Sequence, residues 1–104
     1  MSDNFQTVAK VDDIPQGKTL CVTVNEQDIL ICHTVEGFYA VNNLCSHAEA
    51  KLSEGKLKGC RILCPLHGAA FDVKDGSALS RPASKPIASY PLNIEGDDIQ
   101  ISLS

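Results

Sequence analysis

No stretch of this chain approaches the roughly eighteen consecutive apolar residues that cross a bilayer, so no membrane span is expected. The N-terminal run M-S-D-N-F-Q-T lacks the basic patch and apolar segment of a secretory signal. No G-x-G-x-x-G or comparable phosphate loop occurs, which removes a self-held flavin or nicotinamide cofactor. Positive charge is not in excess. Nine Lys and Arg against thirteen Asp and Glu leave a formal −4, which argues against a nucleic-acid partner. No window longer than a turn carries the 3.6-residue period of a helix, and there is no internal repeat, linker or low-complexity tract.

What is present reads as strands. At 104 residues, with 43% hydrophobic and 21% charged side chains, the chain suits one soluble globular domain, residues 1–104. Residues 5–10 predict a first strand, and V-D-D-I-P-Q-G a turn segment with Pro15 and Gly17 as breakers. K-T-L-C-V-T-V at 18–24 puts Leu20, Val22 and Val24 on one face by the period of two. After the polar turn N-E-Q, D-I-L-I-C-H-T at 28–34 returns as an antiparallel partner, and F-Y-A-V-N at 38–42 follows Glu36-Gly37. These four strands predict a meander. Gly55 and Gly59 bound a short K-L-K segment, C-R-I-L at 60–63 delivers the chain to Cys64, A-A-F-D-V at 69–73 leads away from His67, and K-D-G at 74–76 is a hairpin turn signal. A closing hairpin is expected from 87–94 and 98–103, joined by Glu95-Gly96-Asp97. The fold class is all-β, with a small subdomain of about 43–82 inserted into a larger base.

Two short clusters stand apart from this pattern: C-S-H at 45–47 and C-P-L-H at 64–67. Each offers one thiolate and one imidazole, the side chains that bind iron and zinc best. The spacing within each cluster lets one turn aim both side chains at one point. Pro65 and Gly68 suit a tight, non-helical loop around the second pair. The pairs are too far apart to share a turn, so they are expected on two loops that the fold brings together. Cys45, His47, Cys64 and His67 are therefore the candidate metal ligands. A structural zinc module is one outcome, since Cys2His2 suits tetrahedral zinc. Zinc sites usually pair Cys with Cys and His with His, whereas each loop here mixes them.

C-x-H…C-x-x-H resembles the ligand set of a Rieske 2Fe–2S centre, in which two His replace two Cys on one iron. H-G-x-x-F-D at 67–72, L-S-E-G-K-L at 52–57 (hairpin-like) and the Pro-containing loop at 81–86 resemble small Rieske ferredoxins. Those carriers serve bacterial ring-hydroxylating dioxygenases. The resemblance implies one 2Fe–2S cluster, with Cys45 and Cys64 on the inner iron and His47 and His67 on the outer. It implies Rieske-like antiparallel sheets, and a stiff loop at 81–86 covering the cluster. It implies an electron carrier in aromatic compound catabolism, placed between a flavin-dependent NAD(P)H ferredoxin reductase and a terminal Rieske non-haem iron oxygenase. The alternative within the same fold is a small accessory subunit of another reductase or oxidase. Nitrite reductase small subunits resemble the fold but generally lack the ligands.

Two of the three His are taken by such a cluster, so the chain has too few to build its own oxygen-activating iron, which needs two His and a carboxylate. It is expected to carry electrons and not to be an enzyme. Respiratory Rieske proteins carry a disulfide, and Ser and Tyr hydroxyls that hydrogen-bond to sulfur. The matching positions here are Ala50 and Leu66, and Ala69 and Phe71. Without those hydrogen bonds the potential should sit near the low end of the Rieske range, roughly −150 mV. Reduction would take the formal charge from −4 to −5. Such an acidic carrier is expected to meet basic patches on its partners. Thiolate ligation and an odd count of five cysteines fit the reducing cytoplasm. Nothing apolar demands a dimer, and a monomer is expected. Cys21 and Cys32 are expected to be small buried hydrophobes in strands, and His33 a satisfied or half-exposed strand residue. Cys60 has no His two or three residues after it.

Overall fold

The computed structural model describes residues 5–44, 50–65, 69–79 and 85–102. Among the described residues ten strands follow in chain order: β1 (Gln6–Lys10), β2 (Thr19–Val24), β3 (Gln27–Thr34), β4 (Gly37–Asn42), β5 (Lys56–Lys58), β6 (Arg61–Leu63), β7 (Ala70–Asp72), β8 (Ser89–Tyr90), β9 (Leu92–Glu95) and β10 (Asp98–Ile101). Short 3-10 turns occupy Val11–Asp13 and Leu52–Glu54. Among the described residues no helix is long and apolar enough to cross a membrane.

The strands form three antiparallel sheets, ordered β1-β10-β9, β2-β3-β4-β8 and β5-β6-β7. The middle strand of the second sheet explains how they stack. D-I-L-I-C is a near-continuous apolar run, which marks a strand covered on both faces. Ile29, Leu30, Ile31 and Cys32 are all fully buried. By the period of two they divide between two cores. Ile29 and Ile31 pack with Ala40, Ile14, Ile99 and Ile101 on the side of the β1-β10-β9 sheet. Leu30 and Cys32 pack with Val41, Ile62, Phe71 and Val73 on the side of the β5-β6-β7 sheet. The described residues therefore stack in three layers, with an apolar core on each face of β3.

Four expectations are corrected. The meander has three strands, not four, because β1 pairs with β10. Residues 11–18 hold a 3-10 turn and the Pro15 and Gly17 breakers, and they carry the chain from one layer to the next. The strand expected at 87–94 is two strands. Ser89–Tyr90 pairs with β4, whereas Leu92–Glu95 pairs with β10. Pro91, which has no N–H to give a ladder, marks the change of sheet. The segment at 52–57 is a 3-10 turn leading into β5, and the hairpin that β5 begins turns at Gly59-Cys60. Finally Cys21 is exposed. It alternates with Leu20, Val22 and Val24, so the face that buries them turns its thiol outward.

The turns follow from backbone chemistry. Gly96 (φ 61) and Gly59 (φ 60) open two-residue hairpin loops, where a positive φ is required first. The β2–β3 turn uses Asn25 (φ 51) and Glu26 (φ 68) instead. Both central residues are left-handed, a geometry for which Asn-Gly is favoured. Glu26→Gly is accordingly expected to stabilise the protein by about 0.5–1 kcal/mol. A thermal midpoint that did not rise would count against a strained turn.

Candidate metal centre

Of the four expected ligands, Cys64 lies among the described residues, and Cys45, His47 and His67 lie outside them, as does most of the 81–86 loop. What the structure describes is how the segments bearing them are held. The first cluster leaves from the end of β4. Leu44 and Lys51 form an antiparallel bridge that closes the neck of that loop. The second leaves from β6, and the Cys64 N–H donates to the Ala69 carbonyl at 2.7 Å, closing a four-residue loop. The third loop is closed at both ends: the Leu79 N–H donates to Ala70 O at 2.8 Å and the Ile87 N–H to Gly76 O at 2.8 Å.

Asn43 fastens the first neck. It is buried beside the exposed Leu44 and uses its side chain and main chain at once. Its Oδ1 accepts from the Ser53 N–H at 2.8 Å, and its Nδ2 donates to Ser53 Oγ at 3.4 Å. Its main-chain N–H donates to Asp28 O at 3.0 Å, and its carbonyl accepts from the Leu52 N–H at 2.7 Å. A short polar side chain that bonds to nearby main chain suits this role. Asn42 adds a second tie, accepting from the Leu44 N–H at 2.8 Å. These two asparagines directly precede Leu44-Cys45, and the sequence reading passed over them. Their adjacency to the ligand run was the available signal.

The two necks are brought together by a glycine. A Cβ on Gly55 would lie 1.7 Å from the Leu63 carbonyl oxygen and 3.3 Å from that of Leu52. Leu52 continues from the first neck, and Leu63 directly precedes Cys64, so the close approach at Gly55 sets one loop against the other. Cys64 is 3% exposed and packs in the core with Ala50, Leu52, Ala69 and Phe71. The small Ala50 and Ala69 packed with it leave its sulfur in an apolar setting, and two cysteines with two histidines are the donor types a mixed-ligand iron–sulfur centre takes. The donor set fits that group. Ala69 and Phe71, where hydroxyls were absent by sequence, are both fully buried and apolar.

The remaining thiols and the third histidine are placed elsewhere. His33 points to the β1-β10-β9 side, with Nδ1 2.7 Å from Ile14 O and its ring stacked on Phe38 at 3.9 Å between centroids. Cys32 is fully buried, and Cys60 is half-buried in the β5–β6 turn. Among the described residues no three His, Cys, Asp or Glu side chains converge into a second metal site. Burial pushes the Cys32 thiol up to about 12 from an ordinary 9.0. The folded state thus favours the neutral thiol. That stability is complete below about pH 9 and is lost as pH rises towards 12, because the unfolded thiol ionises first. Cys32→Ala should flatten the alkaline fall in denaturant midpoint relative to wild type, by up to about 4 kcal/mol across that window. Parallel curves for the two proteins would contradict it.

Comparison with known proteins gives a consistent picture. Residues 4–91 match the family model of the Rieske [2Fe-2S] domain. The chain is 42% identical over 104 residues, covering 99% of both chains, to the ferredoxin component of the naphthalene 1,2-dioxygenase/salicylate 5-hydroxylase systems of a Ralstonia species. Its fold matches the ferredoxin of carbazole 1,9a-dioxygenase from Nocardioides aromaticivorans with a TM-score of 0.93, at 30% identity over 97% of this chain and 99% of that one. It also matches a structure of reduced oxygenase in complex with oxidised ferredoxin in carbazole 1,9a-dioxygenase, with a TM-score of 0.89, at 28% identity over 97% of this chain and 94% of that one.

Proposed function

The chain belongs to the Rieske [2Fe-2S] family, and on that premise we propose how its own residues serve the cluster and its partners. The protein is the ferredoxin component of an aromatic dioxygenase system, an electron carrier and not a catalyst, and it holds one Rieske-type 2Fe–2S cluster. When bound, that cluster takes up and gives back one electron. Its ligands are Cys45 and Cys64 on the inner iron and His47 and His67 on the outer one. The observation that carries this assignment is the junction at Gly55, which sets the neck of the first loop against Leu63, one residue before Cys64. Residues 1–104 act as one domain, with a cluster-binding subdomain of about 43–82 on the β5-β6-β7 side.

Each tie around the necks has a task. Asn43 and Asn42 hold the chain up to Leu44, one residue before Cys45, and the Cys64–Ala69 bond ties the two ends of the segment whose sequence includes His67. The apolar packing of Ala50, Ala69 and Phe71 keeps water from Cys64 and offers no hydroxyl to sulfur. That keeps the potential near roughly −150 mV, the low end of the Rieske range. The terminal oxygenase of its system receives the electron, and a flavin-dependent NAD(P)H reductase supplies it. The carrier works as a monomer in the cytoplasm. Docking is transient, with a total interface below about 1,200 Å².

The test is EPR of the dithionite-reduced protein, with iron and acid-labile sulfide assayed on the same sample. Two irons and two sulfides per chain, with an average g below that of all-Cys ferredoxins, are expected. An average g like that of all-Cys clusters would remove His47 and His67 from the ligand set.

A further inference from the structure

Cations are unevenly used in this acidic chain. Lys10 pairs with Asp98, and Lys74 pairs with Glu36 at 2.7 Å. Lys18, Lys56 and Lys58 do something different. All three line one groove of about 320 Å³, formed by segments 17–19 and 55–58. All three are exposed, and among the described residues none of their side chains has an ion-pair or hydrogen-bond partner. Lys56 and Lys58 alternate with Leu57, so both stand on one face of β5. β5 is also an edge strand, as is β2, which begins at Thr19. The surrounding sequence strengthens the patch: from 51 to 61 there are four cations, Lys51, Lys56, Lys58 and Arg61, against the single acid Glu54. The rest of the chain is correspondingly more acidic than its total charge of −4.

We propose that this three-lysine groove docks a carboxylate-rich surface of the reductase that donates the electron, an inference that rests on the carrier function above. Charge complementarity gives the class of partner, and at this one groove it reverses the basic-patch docking expected from the net charge. The redox cycle decides which partner. A donor must bind the oxidised carrier and release the reduced one. Reduction adds one negative charge, which an acidic docked surface repels, so the electrostatic change on reduction favours release. An acceptor needs the opposite preference and is better served by a basic surface against the acidic remainder. The groove also lies beside Gly55, whose close approach to Leu63 joins it to the chain entering Cys64. Docking there therefore engages the flank of the cluster-bearing layer and leaves the exposed acidic residues elsewhere free for the acceptor.

The experiment compares the holoprotein with K18Q/K56Q/K58Q, which takes the formal charge from −4 to −7. A matched control, Q6E/N25D/N93D, reaches the same charge at exposed positions outside the groove. Each is reduced by the flavin-dependent NAD(P)H reductase that reduces wild type, and separately by dithionite before mixing with the oxygenase. At low ionic strength the lysine variant should show a KM for the reductase step raised on the order of tenfold. The difference should close at high salt, and delivery to the oxygenase should match the control. A KM equal to the control's, or a loss confined to the oxygenase step, would overturn the assignment. A wild-type protein that takes no electron even from dithionite would overturn the carrier function and this docking with it. That result is distinct from a reducible carrier indifferent to the three lysines.

Discussion

Gly55→Ala should cost the protein its cluster and about 3 kcal/mol or more of stability. The added methyl would meet the Leu63 carbonyl oxygen at 1.7 Å and its carbon at 2.9 Å. Both are main-chain atoms in the β6 ladder, so no side chain can rotate to make room. Either β6 shifts, or the 3-10 turn at Leu52–Glu54 lifts away. The Gly55 N–H bond to Leu52 O at 2.9 Å and the Leu52 N–H bond to Asn43 O at 2.7 Å transmit a lift to the first neck. Either movement separates the loops bearing Cys45 and Cys64. Gly59→Ala is the control. Its Cβ would meet nothing within 4 Å, and its penalty is only that of a positive φ, about 1 kcal/mol. Iron and sulfide per chain, with denaturant unfolding of both variants, check the contrast. A Gly55→Ala protein that keeps two irons and unfolds like Gly59→Ala would show that the necks need not touch.

The sequence made the strands legible where one period dominated. Leu20, Val22 and Val24 alternate with polar neighbours, and β2 lies where the alternation puts it. The same alternation placed Cys21 outside, so its expected burial came from residue type overruling position. Layering was harder to read. Ile29 to Cys32 form an unbroken apolar run, and only the two cores reveal that the run serves both faces of β3. Pairing was least legible. β1 and β10 are neighbours across nearly the whole chain, and no local pattern records so distant a partner. Pro91 was readable as a break, but not as the point where the chain leaves one sheet for another. At the candidate metal centre the spacing of Cys and His gave the expected donor types. Asn43 and Gly55, which hold the loops, were not legible in it. A buried amide and a close-packed glycine reveal themselves only through what touches them. The sequence treated Gly55 simply as a boundary of the K-L-K segment.

His47→Ala and His67→Ala should each abolish the Rieske EPR signal and electron transfer while leaving the base of the protein folded. Each substitution removes one of only two imidazoles assigned to the outer iron, and His33 cannot replace either. Its Nδ1 lies 2.7 Å from Ile14 O, on the opposite face of β3 from the core that holds Cys64. The base should survive because its core is built without the ligand loops. Ile14, Val24, Ile29, Ile31, Ala40, Ile99 and Ile101 come from β2, β3, β4, β10 and the 11–18 connection. The expected result is a colourless protein whose β2–β4 amides retain slow hydrogen exchange, while those of β5–β7 exchange faster than in wild type. Cys64→Ser should lose the cluster as well. It should also weaken the β5–β7 layer further, because it puts a hydroxyl into a site that is 3% exposed and lined by apolar side chains. A structural metal module would respond differently. Its folding free energy is its binding free energy, so loss of any ligand would unfold the whole chain. Global loss of protection in the His variants would therefore reject the separation of base and cluster layers. Protection confined to the base, with electron transfer gone, would support His47 and His67 as ligands serving transfer rather than folding.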